Sequence, residues 1–503
     1  MTLPGWLIGW DVFCWMGHRR FARHWSVPQI RGALADTYQM PLSADAIEDA
    51  LRRYQTMLTA RQQAPEVLAA AYRSVDALVL SIDGLQPEKG HETLSVVREL
   101  NAKRIWFAEA LLSSSADEVR RLLIQARTWA MQLGLPVHLW LSDKQDAFVT
   151  GIAAEFPGVP HRYCVNHFMR DVAKPMLEAD RHAKVKMRRK VRGLRTIERE
   201  VLPQRRSIAA EASAVAPVAT PPAGGEPPAI GPAATPPVTP SPAHQWARAI
   251  PAVTELPADA GEVVLDDWSA VRGILNDDQG GPLQPPGLRM AEALGDVRAS
   301  LQRNLDAHRG GRAHTQLQRL AACIDRGVAE VREEHTVVHQ HLQEIQRVAA
   351  TLTPANGSAT ARQAQFTRLQ EEFAGFDTPF YHHVAGVMAS FEAGLFVGGD
   401  TLPCLQDNLD LERWFRKPKG HERHIHGHRH AGVRIVQEGP TLLLALDAHV
   451  MHPEPFTAND LEPYQDASAP PCQVQAIQRR KIMRKARSKK NESSYSQHWN
   501  AGT

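Results

Sequence analysis

Two short apolar runs, "ALVLSIDG", read as a strand ending in Asp83, and "PVHLWLSD", ending in Asp143, constrain this chain most. Each is brief, rich in Val, Leu and Ile, and bounded by turn-forming residues, which predicts a buried strand rather than a helix. "HETLSVVREL" and "KRIWFAEALL" read as two more strands, joined tightly through Asn101. "SADEVRRLLIQARTWAMQLG" has the spacing of an amphipathic helix, with Ser115 or a neighbour as its cap and Gly134 as its stop. The stretch after Asp143 reads helical to about Phe156, "HRYCV" is a short fifth strand, and "NHFMRDVAKPML" opens another helix. That alternation predicts an α/β layered domain.

Ahead of it, residues 26–55 read as two helices around a turn. Ser26 can cap the first, with Pro28 in its first turn and Gln29 at the capping-box position; Ser43 can cap the second. Ile30, Leu34, Ile47 and Leu51 give an apolar face at helical spacing. This is the shape of a helix-turn-helix, whose second helix can lie in a major groove, and equally of any helical hairpin. The opening "LPGWLIGWDVFCWMG" is interrupted by Asp11 and too short to span a bilayer, so it reads as a buried packing helix.

Behind the α/β segment the pattern breaks. Residues 203–257 hold thirteen prolines among Ala, Thr, Gly and Ser, a composition that cannot build a core and suits a flexible linker. From about 262 to 395 the chain is helical in pattern, its middle segment long enough for an arm or a pair of helices.

Net charge, +3, says little about partners, but its distribution says more. Arg181–Arg206 carries eleven Lys/Arg against two Glu, and Arg479–Lys490 carries eight with no acid. Such runs are solvated faces or phosphate-contacting surfaces. The five cysteines, Cys14, Cys164, Cys323, Cys404 and Cys472, are odd in number and never spaced C-x-x-C. That predicts a reducing cytoplasm and argues against a disulfide framework or zinc ribbon.

Asp83 and Asp143 lie 60 residues apart at the ends of apolar strands. Carboxylates at the ends of neighbouring strands face one crevice, and with a third acid they suit hard cations such as Mg²⁺ or Mn²⁺. A plainer reading stays open on spacing alone, because Asp often begins the turn after a strand. The candidate third acid is Glu412 in "DNLDLERWFRKPKGHERHIHGHRH", on an apolar stripe of Leu409, Leu411, Trp414 and Phe415. A simple pair with Arg416 one turn on is the alternative role. The histidines at 421, 424, 426, 428 and 430 are spaced more like a nucleic-acid-facing loop than a zinc site. Cys164 and His167 could be half a zinc site or a structural pair.

Taken together, "SIDG", "LSDKQDAF", "RYCVNHFMRDV" and "DNLDLERWFRKPKGHERHIHGHRH" resemble the RNase H-fold DDE transposases of bacterial insertion sequences, in the group related to Mutator-like elements. The resemblance covers roughly 76–200 and 395–435. It implies an N-terminal helix-turn-helix region over 1–75 and an RNase H-like core over 76–200. A Pro/Ala-rich linker (201–260) and an all-helical insertion (261–395) would separate that core from its final part (396–445), followed by a basic tail (446–503). It implies Asp83, Asp143 and Glu412 as catalytic, metal-binding carboxylates for two Mg²⁺ or Mn²⁺ ions, with Cys164 and His167 as the supporting C-x-x-H pair. Arg413, Arg416, Lys417, Lys419 and Arg423 would line the DNA path. Trp106, Trp140 and Trp414 read first as core residues, with stacking of Trp414 on an unpaired base as the alternative, and Asp146 could substitute as a ligand. The implied partners are double-stranded DNA, both terminal inverted repeats and target, and a second protomer, in a cytoplasmic, nucleoid-associated setting. Two departures stand out: 269 residues separate Asp143 from Glu412, and no C-x-x-C module precedes the helix-turn-helix.

Overall fold

Strand β1 (Leu78–Leu85) is the middle of a five-stranded mixed sheet in a computed structural model of the chain. That structure describes residues 8–86, 92–112, 115–191, 260–307, 309–400, 409–427 and 431–486. The expected proline-rich linker, His428, His430 and the end of the second basic run lie outside the described residues. On one side of β1, strands β2 (Thr93–Glu99) and β3 (Arg104–Leu111) pair antiparallel; on the other, β4 (Val137–Ser142) and β5 (His161–Tyr163) pair parallel. The β2–β3 connection is tight because the buried Glu99 carboxylate accepts the backbone N–H groups of Val79, Asn101 and Ala102.

Helices precede the sheet: α1 (Trp10–Phe21), α2 (Val27–Tyr38), α3 (Ala44–Gln62) and α4 (Pro65–Ala71). Ser26 and Gln29 form the expected capping box, and Ser43 Oγ accepts the Ala46 N–H at 3.1 Å. Between β3 and β4 runs α5 (Ala116–Leu133), capped by Ser115 and stopped by Gly134 in the left-handed conformation at φ 66°. Next come α6 (Asp146–Glu155), α7 (Val165–Val172) and α8 (Lys174–Lys190). The alternation of strand side chains divides the sheet. Leu78, Leu80, Ile82 and Trp140 pack with Val119, Leu122, Phe148 and Ile152, the apolar stripes of α5 and α6.

The helical stretch after the linker comprises α9 (Ala260–Asn276), α10 (Pro286–Ala307), α11 (Gly311–Ala329), α12 (Arg332–Leu352), α13 (Ala359–Ala374) and α14 (Pro379–Leu395). The long middle segment is thus a pair, α11 and α12, broken at Glu330 and Val331. The chain divides into two compact units. One comprises Met1–Phe168, Gly357–Ala361 and Ser390–Thr503, the other Met169–Asn356 and Arg362–Ala389. In the second unit, Met187 and Val191 pack with Val264, Trp268, Leu294, Val297, Leu320 and Ile324 in one core.

The last segment returns to the sheet as α15 (Leu409–Trp414), α16 (Arg416–His426), α17 (Gly432–Glu438) and α18 (Pro440–Met451), then α19 (Ala458–Leu461) and α20 (Pro471–Ala486). Leu411, Trp414, Phe415, Ile435, Val436, Leu443 and Leu444 cover Leu94, Val96, Ile105 and Ala108 of β2 and β3. Residues from 446 onward, expected as a tail, include the end of α18 and the helices α19 and α20, and in α20 Ala476 is buried while most of the helix is exposed. Ala445, Leu446 and Ala448 of α18 share a core with Ile47, Tyr54 and Leu58 of α3.

Two features of this architecture bear on the expected DNA contacts. Helix α3 is buried along much of its length, and its exposed first turns carry Asp45, Glu48 and Asp49. Carboxylates there repel a phosphate backbone, which does not favour α3 as a groove-reading helix and leaves the hairpin reading open. Within the described parts of the basic runs, which end at Val191 and Ala486, several cations have acidic partners. Lys184 and Arg188 pair with Asp278, Lys186 with Glu334, Lys190 with Glu330, and both Arg479 and Arg480 with Glu92. No described helix is long and apolar enough to cross a membrane.

Candidate functional site

The parallel pairing of β1 and β4 matches Leu80 with Trp140 and Ser81 with Leu141. The same offset carried two residues further sets Asp83 beside Asp143 on the same face of the sheet. Asp83 lies inside β1, which continues to Leu85, while Asp143 is the first residue beyond β4. Asp83 is only 9% exposed, and its Oδ1 accepts the Gly84 N–H at 2.7 Å. Burial raises its pKa from 3.8 to about 6; His167 and the Gly84 N–H oppose that rise, while the charges of Asp143 and Glu412 add to it. Two carboxylates from separate parts of the sequence thus act on Asp83.

Glu412 is carried on α15, whose apolar side is buried at Leu411, Trp414 and Phe415. The helix is only six residues long, too short to hold itself by its own hydrogen bonds. Arg98 of β2 anchors it, with Nε 3.0 Å from Asp410 Oδ2 and Nη1 3.5 Å from Asp447 Oδ1. Asn166, in the first turn of α7, donates through Nδ2 to both Glu412 oxygens, at 2.9 and 2.8 Å. His167 Nε2 stands 4.0 Å from Glu412 Oε1, and its Nδ1 is buried with no hydrogen-bond partner. Cys164 is fully buried, and its N–H donates to Ser142 O at 2.8 Å, tying the start of α7 to the end of β4.

The Asp143 turn has its own supports. Gln145 donates to Asp143 twice, from its backbone at 3.4 Å and its side chain at 2.9 Å. Burial lowers the His161 pKa to about 4, so the ring is neutral. Its Nε2, 2.8 Å from Ser142 Oγ, can donate there, while Ser142 Oγ donates to Asp143 O at 2.6 Å. Asp146 begins α6 and is exposed.

The basic residues around Glu412 differ from those elsewhere. Arg413, Arg416, Lys417 and Arg423 are exposed, and none of them pairs with an acid among the described residues. Lys419 is half-buried; burial lowers its pKa and Arg423 adds to that, while Glu412 and Asp83 pull it back up. Its ammonium therefore lies in the field of the carboxylates.

One expectation holds and one does not. Trp414 is 3% exposed and its ring lies 5.9 Å from the Arg98 guanidinium, so it is a core residue and not a surface for a base. The histidine run is not a loop as far as His426: it forms α16, with His421 fully buried against His24. The local sequence concealed Asn166, Gln145, Arg98, Asp410 and His24, whose importance lies in long-range pairing; Asn166 meets Glu412 across 246 residues. The one local signal for Asn166 is its place beside His167.

As a cation site the donor set is suitable in kind, being hard oxygens from Asp83, Asp143 and Glu412. Its arrangement is not ready, since Asn166 and Gln145 donate into oxygens that a cation needs. Among the described residues, no three His, Cys, Asp or Glu side chains are gathered to hold a metal ion. No protein-family model and no curated protein matches this chain.

Proposed function

We propose that this chain is a metal-dependent DNA transposase with an RNase H-like core, cutting at terminal inverted repeats and joining the 3′-hydroxyl ends to target DNA. One observation carries the reading: the cations without acidic partners on α15 and α16 stand beside the only three carboxylates that the sequence resemblance singles out. An ion-paired surface has no such imbalance, whereas an enzyme that brings phosphates to carboxylates needs both. Asp83, Asp143 and Glu412 would hold two Mg²⁺ or Mn²⁺ ions, which when bound activate the attacking hydroxyl and stabilise the leaving oxygen.

The protein's own groups do the remaining work. Arg413, Arg416, Lys417 and Arg423 contact backbone phosphates and fix the register of the duplex. Lys419 sits between that row and the acids, where a cation stabilises a phosphate as it approaches. Asn166 orients the Glu412 carboxylate through two hydrogen bonds. His167, 4.0 Å from Glu412, can donate to a phosphate oxygen or steady that carboxylate. Two DNA ends must be handled together, so a homodimer or larger assembly follows from the chemistry.

A second reading has an observation of its own. Glu412 and Asp143 are held by neutral amides, as they would be in a relative that binds DNA without cutting it. A nuclease that cuts without joining is the third. Purified protein, Mg²⁺ and labelled DNA carrying the repeats that flank the gene separate them. Cutting and strand transfer by the wild type, with binding alone in Glu412→Gln, supports the transposase. Cutting without joined products favours the nuclease, and equal behaviour of both proteins leaves the binding protein.

A further inference from the structure

We propose that the corner between α1 and α2, residues 22–26, is a second grip on the DNA backbone, built from Arg23 and His24 with Lys417 and His424 of α16. This rests on the DNA reading above and places a binding element where the sequence suggested only a helix boundary. The corner is built rather than loose. His24 adopts a left-handed backbone at φ 58°, unusual for a residue with a side chain. Trp25 N–H donates to Arg19 O at 3.0 Å, and Arg20 Nη1 donates to Trp25 O at 3.1 Å. The Arg19 guanidinium lies 5.5 Å from the Trp15 ring and 5.0 Å from the Trp25 ring. These contacts hold His24 against α16.

There the His24 ring stacks on His424 at 5.8 Å, and its Nδ1 lies 2.9 Å from Nδ1 of His421. Two Nδ1 atoms at that distance share one proton. His421 is fully buried and its Nε2 has no hydrogen-bond partner. An orphaned buried N–H is the rarer outcome, so His421 keeps its proton on Nδ1 and donates to His24. The His24 proton then sits on Nε2, which makes no hydrogen bond among the described residues and is left to donate to a ligand.

The charges facing this corner have one sign. His24 lies in the fields of His424, Lys417 and Arg20, and His421 in those of Arg20, His24, His426 and His424. Glu422, the acid of α16, is buried and engaged by Arg434 at 3.2 Å and His426 at 3.7 Å. Glu48, Glu422 and Glu438 act on Arg20, not on His24. Arg23 is exposed and forms no ion pair among the described residues. Arg23 and Lys417, cations with no acidic partner among the described residues, and the His24 N–H donor fit a phosphodiester backbone. The corner extends the row of Arg416, Lys417 and Arg423 away from the carboxylates.

The test is fluorescence anisotropy of the full chain with a short labelled duplex of arbitrary sequence, in EDTA and across a range of salt. Arg23→Ala with His24→Gln is expected to weaken binding on the order of tenfold and to flatten the salt dependence by about one phosphate contact, since the neutral His24 supplies a hydrogen bond and no charge. Arg23→Ala alone changes only an exposed side chain and is expected to flatten it by about one. Arg52→Ala, which removes a cation already paired with Asp49, serves as the control and is expected to bind as wild type. Wild-type affinity and slope in both corner variants overturn the proposal, as does a wild type that binds no duplex. Should the corner variants weaken binding while Glu412→Gln still cuts, only the catalytic assignment falls.

Discussion

Arg98 and Asp410 form an ion pair in which Nε and Nη2 each lie 3.0 Å from Asp410 Oδ2, and Asp410 stands two residues before Glu412. The same guanidinium reaches Asp447, a fully buried carboxylate whose other oxygen accepts the Ile105 N–H at 3.0 Å. One side chain from the sheet therefore sets the position of the short helix that delivers Glu412.

The two ends of this clamp are expected to differ in cost. Asp410 is 40% exposed at its side chain, so Asp410→Asn costs under about 1 kcal/mol. Arg98→Met leaves Asp447 buried without its cation, which costs about 3–5 kcal/mol. Urea denaturation of both variants beside wild type measures this. DNA cutting by Asp410→Asn is expected to fall about tenfold, a 1.4 kcal/mol loss of transition-state stabilisation, although its fold is nearly as stable. Similar stability losses in the two variants contradict the clamp.

Asp83 makes stability depend on pH in the opposite direction to an ion-paired acid. Burial raises its pKa from 3.8 to about 6, so the folded chain keeps a proton that the unfolded chain has released. Its contribution is complete below about pH 4 and is lost as pH rises through about 6. Asp447 and Asp267 shift the same way, also to about 6, so the wild-type curve reports all three. Asp83→Asn isolates one of them. In EDTA the variant is expected to match wild type near pH 4 and to gain up to about 3 kcal/mol by pH 8. A difference that does not change with pH contradicts the assignment.

Much of the first part of the fold was legible because its signals are local. The five strands, the Ser26 capping box, the Ser43 and Ser115 caps and the Gly134 stop are written in neighbouring residues, and the structure has each of them. The bringing together of Asp83 and Asp143 was half legible, since an equal offset of 60 residues is also what parallel pairing of their strands requires. What the sequence hid depends on partners far along the chain. Arg479 and Arg480 look like a free basic run until Glu92 is found beside them. His421 looks like part of a loop until its ring is seen buried against His24. The acidic first turns of α3 were readable as letters, but which face they occupy became clear only when Tyr54 and Leu58 were seen to point into the core.

The contrast between paired and unpaired cations gives a further prediction. Arg416→Ala and Arg423→Ala are each expected to weaken duplex binding and to reduce the slope of log affinity against log salt by about one. Lys186→Ala removes a cation already answered by Glu334 and is expected to change neither. Anisotropy titrations at several salt concentrations distinguish them. Equal effects from all three would mean that net charge, not position, governs binding.

The central claim is that three carboxylates from distant parts of the sequence act as one cation-holding centre. Its most direct measurement is a Mn²⁺ titration of the DNA-free protein followed by electron paramagnetic resonance, with Asp83→Asn, Glu412→Gln and the exposed-acid control Asp466→Asn alongside. Saturable binding in wild type and in Asp466→Asn, weakened at least tenfold in the other two, is the predicted result. Equal binding in all four proteins, or none in the wild type, would contradict it.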